Sequence, residues 1–269
     1  MVNLNISRFL AQSQVYTLVI FIIFLSSLHV PVQAQTFKVH SHNDYIRNIP
    51  FWEAYANNVA SIEVDVILKD DKLYVAHEEA SIHPRRTLES LYLEPIQKAR
   101  DLNIGHLNPF ILLIDFKTEA HSTLEKLLEV VEPYREICTA QNGEALITLV
   151  ISGNRPEKRD YIKFPSYILF DYQSVSDTSD LPLDKIAMIS LNFRHLSSWD
   201  GKDEIDENEK IKLLEAINIA HSLQKPIRFW ATPDTPAAWL TLHEMGVDYI
   251  NTDDPYGATQ YLSRKLVNH

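Results

Sequence analysis

The sequence has one cysteine, Cys138, in 269 residues. No intramolecular disulfide can form, so the fold depends on its core, and Cys138 reads as a buried structural thiol rather than a nucleophile. Glycine is scarce as well, with six residues, which disfavours collagenous and propeller repeats and glycine-rich nucleotide loops. Positive charge is short: 25 Lys and Arg face 36 Asp and Glu, for a formal charge of −11 and a pI near 5.4. Nucleic-acid binding needs clustered cations, so that balance argues against it. The rest is ordinary globular composition. Hydrophobic residues make up 45% and charged ones 23%, enough apolar surface to exclude wholesale disorder. A chain of this length buries about three quarters of its unfolded surface when it folds as one large domain.

The first 34 residues carry a single charge, Arg8, ahead of an apolar run at 15–25 (VYTLVIFIIFL). Val32 and Ala34 then put small residues at the −3 and −1 positions of a cleavage point before Gln35. This pattern predicts a cleavable secretory signal over 1–34 and a mature domain over 35–269 that is secreted or periplasmic. The run falls short of the ~20 residues of a membrane span. Cleavage is therefore favoured over an uncleaved anchor, and no stable membrane insertion is expected after it. The mature chain is one unit more negative than the −11 of the whole, which disfavours tight docking on anionic membranes and leans the reading toward a small soluble partner.

From there strand and helix alternate. Short apolar or β-branched runs lie at 36–40, 61–66, 110–115, 146–151, 167–171, 186–191, 227–230 and 247–251, eight in all. Between most of them are amphipathic stretches, with Leu124, Leu127, Leu128 and Val131 on one helical face and Ile211, Leu214, Ile217 and Ala220 read as another. Pro50 and Pro236 are expected to open helices, where a missing N–H is harmless. The segment 69–75 reads as a hairpin extending the second strand, and the acidic stretch 200–209 as a solvated loop leading into a helix. Eight strand–helix units in an α/β chain predict a single (β/α)8 TIM barrel with no second domain.

In such a barrel the C-terminal strand ends carry the chemistry. The first strand ends in His40-Ser41-His42-Asn43-Asp44-Tyr45. On the second, Glu63 and Asp65 are two apart and project to the same side. Facing inward, two such carboxylates repel unless a proton or a cation sits between them. The third strand adds Asp115, with Lys117 two residues on, and His77 follows the hairpin. Three carboxylates with no cysteine pair suit one hard divalent ion, Mg2+ or Ca2+. The flanking histidines can then act as general base and general acid. Asn43 and Asp44 either orient that base or cap the first helix.

These residues resemble the phospholipase C-like phosphodiesterase superfamily. The quoted segments are His42-Asn43-Asp44, Ile62-Glu63-Val64-Asp65-Val66, His77-Glu78 and Ile114-Asp115-Phe116-Lys117. Its glycerophosphodiester phosphodiesterase branch has the same order of strand-end His, E-x-D, post-hairpin His and acid-x-Lys. Near the C-terminus, 227–232 (IRFWAT) resembles that family's tryptophan motif, and 246–255 (GVDYINTDDP) resembles its closing strand. The His-Ser-His-Asn-Asp-Tyr opening is similar to the subgroup that includes altered inheritance of mitochondria protein 6. The resemblance implies a phosphoric diester hydrolase acting on a small phosphodiester or phospholipid head group. It implies Glu63, Asp65 and Asp115 as metal ligands, His42 and His77 as the catalytic pair, and Lys117, Trp230 and His40 on the substrate. His40 shares a strand face with His42, and either can be the first catalytic histidine, with the His-Asn-Asp sequence favouring His42. The family's His-Arg-Gly and its following Glu-Asn-Thr are missing, which removes an arginine that binds phosphate. Two other readings of the residues stand beside this one. The first is an amidohydrolase-type metal enzyme built on His40-x-His42, which would need further histidine ligands on later strands. The second is a barrel that binds a phosphate or sugar ligand without turnover.

Overall fold

The computed structural model describes residues 37–139 and 145–266, which lie in one compact unit. The expected signal segment, 1–34, lies outside the described residues. Nine strands run in chain order: β1 (Lys38–Ser41), β2 (Ser61–Lys69), β3 (Lys72–Val75), β4 (Phe110–Phe116), β5 (Ile147–Gly153), β6 (Ile168–Tyr172), β7 (Ile186–Asn192), β8 (Ile227–Trp230) and β9 (Tyr249–Thr252). Eight pair in parallel, in the order β1-β9-β8-β7-β6-β5-β4-β2, and the additional β1–β2 pairing closes the ring. The chain is a single (β/α)8 TIM barrel, as the alternation predicts. The ninth strand, β3, turns back antiparallel on β2 through Asp70 and Asp71, both in the left-handed region at φ 46° and 60°. This is the hairpin expected at 69–75. Parallel strands are covered on both faces, which is why they read as near-continuous apolar runs; β2 is buried from Ser61 to Ile67.

Around the ring lie α1 (Trp52–Ala56), α2 (Glu94–Asp101), α3 (Ala120–Val131), α4 (Arg135–Cys138), α5 (Glu207–Ser222), α6 (Pro236–Glu244) and α7 (Pro255–Leu266). Buried Leu124, Leu127 and Val131 carry α3 onto the sheet, as expected. The α5 expectation needs correction. Its buried residues are Leu213, Ala216, Ile217 and Ala220, while Ile211 is 46% exposed. Steps of three residues fall about 60° short of a full turn each, so Ile211 and Ala220 end on opposite sides of the helix. The set from Leu213 stays within one face. Pro236 opens α6 behind Thr235, whose hydroxyl accepts from Ala238 N–H at 3.2 Å. Pro50 does not open α1, which begins at Trp52, two residues later.

Two connections lack a helix. Between β5 and β6, and between β6 and β7, the chain makes only 3-10 turns, at Lys158–Lys163 and Leu183–Lys185. Tyr161, from the first, stacks on Phe170 of β6 with centroids 3.7 Å apart and planes 4° apart, so an aromatic pair covers β6 where a helix would lie. Cys138 is buried, and burial pushes its thiol up to about 12, which bears out a structural rather than nucleophilic thiol.

The α5 face is testable. Ile217→Ala should cost about 2–5 kcal/mol in denaturant unfolding, whereas Ile211→Ala should stay within about 0.5 kcal/mol. Equal losses would mean that the helix presents the other face.

Candidate functional site

Register and alternation build the site. Glu63 and Asp65 share the inner side of β2, and Asp115 of β4 is paired with Asp65 across the sheet. One oxygen from each of the three lies within 4.8 Å of the others. On the neighbouring strand Gly153, at φ 67°, pairs with Phe116, and a Cβ there would stand 2.2 Å from Asp115 Oδ1. Only glycine lets the end of β5 close against that carboxylate.

Asp65 is fully buried and asymmetric. Its Oδ2 accepts from Tyr45 Oη at 2.9 Å and His77 Nδ1 at 2.7 Å, with Lys117 Nζ 3.2 Å away. Its Oδ1 is buried with no hydrogen-bond partner. Lys117 Nζ also lies 3.0 Å from Asp115 Oδ1. Burial lifts the Asp115 carboxyl to about 6, against the pull of Lys117 and with help from Glu63 and Asp65. An orphaned buried oxygen and a carboxylate pushed toward protonation suit a hard cation between them, so Glu63, Asp65 and Asp115 fit a divalent ion. That candidate group, the one found among the described residues, contains no imidazole. The amidohydrolase-type reading therefore lacks its ligands.

Beneath the rim, Glu63 meets a residue that the sequence reading passed over. Arg228 of β8 is buried and donates through Nη1 to Glu63 Oε2 at 2.7 Å and Asn251 Oδ1 at 3.2 Å, and through Nε to Ser190 Oγ at 3.1 Å. Burial works to raise the Glu63 pKa, but Arg228 and then His40 outweigh it, and the carboxyl sits well below its usual range. The signal was present: an arginine inside an apolar strand, two before Trp230 and so on its side. This cation lines the cleft although the family's His-Arg-Gly is absent.

His40 does not line the cleft, contrary to expectation. It is fully buried, with Nδ1 2.8 Å from Ser61 Oγ and Nε2 2.9 Å from Glu63 Oε2, and Arg228 Nη1 against it. Two places before His42 on the same side, it lies one layer deeper, and here Glu63 and Arg228 roof it over. His42, one layer higher, reaches the cleft. Its Nδ1 lies 2.9 Å from Asp253 Oδ1, just past β9. Burial pulls His42 down, but Asp253 and then Glu63 outweigh it and its pKa is raised. Asp253 in turn has its backbone N–H on Asp234 Oδ2 at 2.7 Å, and Asp234 Oδ1 accepts from Trp239 Nε1 at 2.6 Å. Asp44 caps no helix with its side chain: buried, it accepts from Ser41 Oγ, Phe51 N–H and Tyr92 Oη and pins the loop after β1.

His42, Glu63, His77, Asp115, Lys117 and Trp230 therefore line one cleft of about 660 Å3, with Arg228 in its wall. A larger hollow of about 750 Å3, between the 199–210 segment and α6, holds none of these groups.

Two measurements test this geometry. Saturating Mg2+ or Ca2+, at about 100 times its Kd, should stabilise the protein by about 2.7 kcal/mol. Gly153→Ala, folded by circular dichroism, should lose most of the corresponding rise in Tm; an unchanged rise would put the ion elsewhere. The His40 imidazole, held at about 3 mainly by burial and then by Arg228, should show no NMR titration between pH 8 and 5. From pH 6.5 down to about 3 the unfolded chain takes up a proton here that the folded chain refuses. Stability should accordingly fall as the pH falls through that window.

The comparisons meet at this rim. Residues 29–109 match the AIM6-like phosphodiesterase domain, a stretch that holds His42, Glu63, Asp65 and His77. Residues 226–256 match the glycerophosphoryl diester phosphodiesterase family, a stretch that holds Arg228, Trp230 and Asp253. The altered inheritance of mitochondria protein 6 homolog of Arthroderma benhamiae is 28% identical over 83% of this chain and 83% of its own. The altered inheritance of mitochondria protein 6 of Eremothecium gossypii is 29% identical over 81% of this chain and 67% of its own. A glycerophosphoryl diester phosphodiesterase from Parabacteroides distasonis shares the fold at a TM-score of 0.53 and 16% identity, covering 86% of this chain and 85% of its own. The glycerophosphodiester phosphodiesterase of Agrobacterium tumefaciens does so at 0.53 and 15%, covering 85% of this chain and 100% of its own. With the two motif-bearing ends of the chain matched and the barrel shared, the chain is similar to the glycerophosphodiester phosphodiesterase-like superfamily and, within it, to the group of altered inheritance of mitochondria protein 6.

Proposed function

We propose that the protein is a divalent-ion-dependent phosphodiester hydrolase of small glycerophosphodiester-like substrates, with Glu63, Asp65 and Asp115 holding one Mg2+ or Ca2+. One observation carries the reading. Two imidazoles stand in the same cleft as the carboxylates, and each has its Nδ1 on a carboxylate, His42 on Asp253 and His77 on Asp65. Both rings are thereby oriented; His42 Nε2, beside Asn43 Nδ2 at 3.3 Å and Glu63 Oε1 at 3.7 Å, and His77 Nε2 are the atoms that would exchange a proton with the reacting groups.

The bound ion would supply Lewis-acid stabilisation of the phosphate oxygens. The rest is done by the chain. Lys117, on the cleft wall, is placed to take a non-bridging oxygen of the phosphate, whose charge grows as the nucleophile attacks. One imidazole takes the proton from the attacking hydroxyl or water at its Nε2, and the other returns a proton to the leaving alkoxide. Asp253 and Asp65 hold those rings still and stabilise them when charged. Arg228 keeps Glu63 ionised and ties down its Oε2. Trp230 walls one side of the cleft. The signal-like residues 1–34 support an enzyme exported from the cytoplasm, and among the described residues no helix is long and apolar enough to cross a membrane.

Turnover of bis(p-nitrophenyl) phosphate and of a glycerophosphodiester should be measured with and without EDTA. EDTA should abolish it, and His77→Ala should lower kcat by about 10²–10⁴-fold. Turnover that survives EDTA would sink the metal assignment. Absence of turnover on every diester, with the ion bound, would sink the hydrolase reading in favour of a binding barrel.

A further inference from the structure

We propose that Asp171 of β6 is a positioning residue of the ion site, the counter-charge to Arg228 that lets Glu63 give its own charge to a divalent ion. The inference rests on the metal assignment above and concerns a residue outside the three ligands.

Register brings Asp171 into the layer of the site. Asp65 pairs with Asp115, and Asp115 with Ser152, in one row across β2, β4 and β5. Ser152 Oγ donates to Asp171 Oδ2 at 2.9 Å, which extends the row to β6. Farther round the ring, Ser190 of β7 pairs with Arg228 of β8. Between β6 and β7 the register slips. Phe170 pairs with Ile186 but Asp171 with Met188, so β7 carries one extra residue there. A β-bulge of this kind re-aims side chains beside a site. Ser152, Gln173 and Arg228 line the carboxylate cleft, and Asp171 lies behind that lining, fully buried.

Its neighbours do not offset that burial. A buried carboxylate is costly unless its oxygens are hydrogen-bonded or paired. Among the described residues Asp171 Oδ1 has no hydrogen-bond partner. Its Oδ2 has Ser152 and, 3.8 Å away and beyond hydrogen-bond reach, Arg228 Nη2. The guanidinium is committed elsewhere: Nη1 sits on Glu63 Oε2 at 2.7 Å and Asn251 Oδ1 at 3.2 Å and lies against His40. As a pair that stabilises the fold, Asp171 and Arg228 are poorly placed.

As a balance of charge they fit. Glu63, Asp65 and Asp115 face Lys117 and Arg228, three negative charges against two positive. That leaves one negative charge for an ion that carries two positive ones, and Asp171 supplies the second. Without it, the charge of Arg228 falls wholly on Glu63 and repels the ion which that carboxylate would hold. With it, Arg228 is shared between two carboxylates, and Glu63 keeps the charge that a hard cation needs.

The test is calorimetry with Mg2+ and with Ca2+ on the full-length chain and on Asp171→Asn. The asparagine carbonyl can still accept from Ser152, and no charged hydrogen bond is lost, so Tm without ion should hold or rise. Ion affinity should fall about tenfold or more, the usual effect of altering a group that supports a ligand. A purely structural role gives the reverse, a lower Tm without ion and an unchanged Kd. In an Arg228→Gln background the same substitution should alter Kd by no more than about twofold, because the residue through which it acts is gone. Arg228→Lys, which can hold Glu63 but has no second arm for Asp171, serves if the glutamine variant does not fold. An unchanged Kd, a loss of Tm without ion, failure of Asp171→Asn to fold, or a weakening that persists in the Arg228 background overturns the assignment. The unsubstituted protein tests the metal assignment on its own. No bound ion sinks that assignment and this inference together, whereas ion binding indifferent to Asp171 sinks this inference alone.

Discussion

Three carboxylates crowded into the mouth of one barrel repel one another, and the surrounding structure is arranged to make that tolerable. Arg228 reaches from β8 to hold one oxygen of Glu63, while Lys117 reaches from β4 to Asp65 and Asp115. Each cation is anchored on an oxygen and leaves another open. Removing either charge from a buried pair costs far more than the pair itself contributes, because its partner is stranded without water. The layer below depends on the same arrangement. His40 stays uncharged between Ser61 and Glu63 because it is buried and a guanidinium is already there, and Asp171 lies 3.8 Å from the other arm of Arg228.

Most of the barrel was legible in the sequence because parallel strands are buried on both faces and so announce themselves as apolar runs. The E-x-D pair was legible for a related reason: alternation along a strand tells which residues share a side without saying what lies across from them. That limit explains the misses. Arg228 and Asp253 act on Glu63 and His42 from positions 165 and 211 residues away in the chain, a proximity that only ring closure creates. His40 was misplaced because alternation gives the side of a strand and not the depth at which a side chain sits. The face of α5 was misread because a three-residue step was carried too far along the helix.

The two stretches of the chain with family matches lie at opposite ends of the described sequence and at adjacent positions in the ring. β1 pairs with β9 on one side and with β2 on the other, so closing the barrel also assembles the site. His42 is tied to Asp253 across that seam, and Asp253 is tied through Asp234 to Trp239 of α6. Pinning the loop after β1 falls to Asp44, whose three donors come from β1, the start of α1 and Tyr92 just ahead of α2.

Around the ring, the charged and proton-carrying groups that line the cleft occupy one continuous arc, β8-β9-β1-β2-β4, and the helix-poor strands β6 and β7 lie opposite. On that side the β5–β6 link is braced by Tyr161 stacked on Phe170 and the β6–β7 link by Lys158 donating to Asp177 and Ser179, rather than by a helix that also packs on its neighbours. Insertions and substitutions there can therefore be absorbed without disturbing the reacting arc. A lineage built on this barrel can vary the links of its helix-free wall while keeping its carboxylate wall, because the two lie on different sides of the same cup.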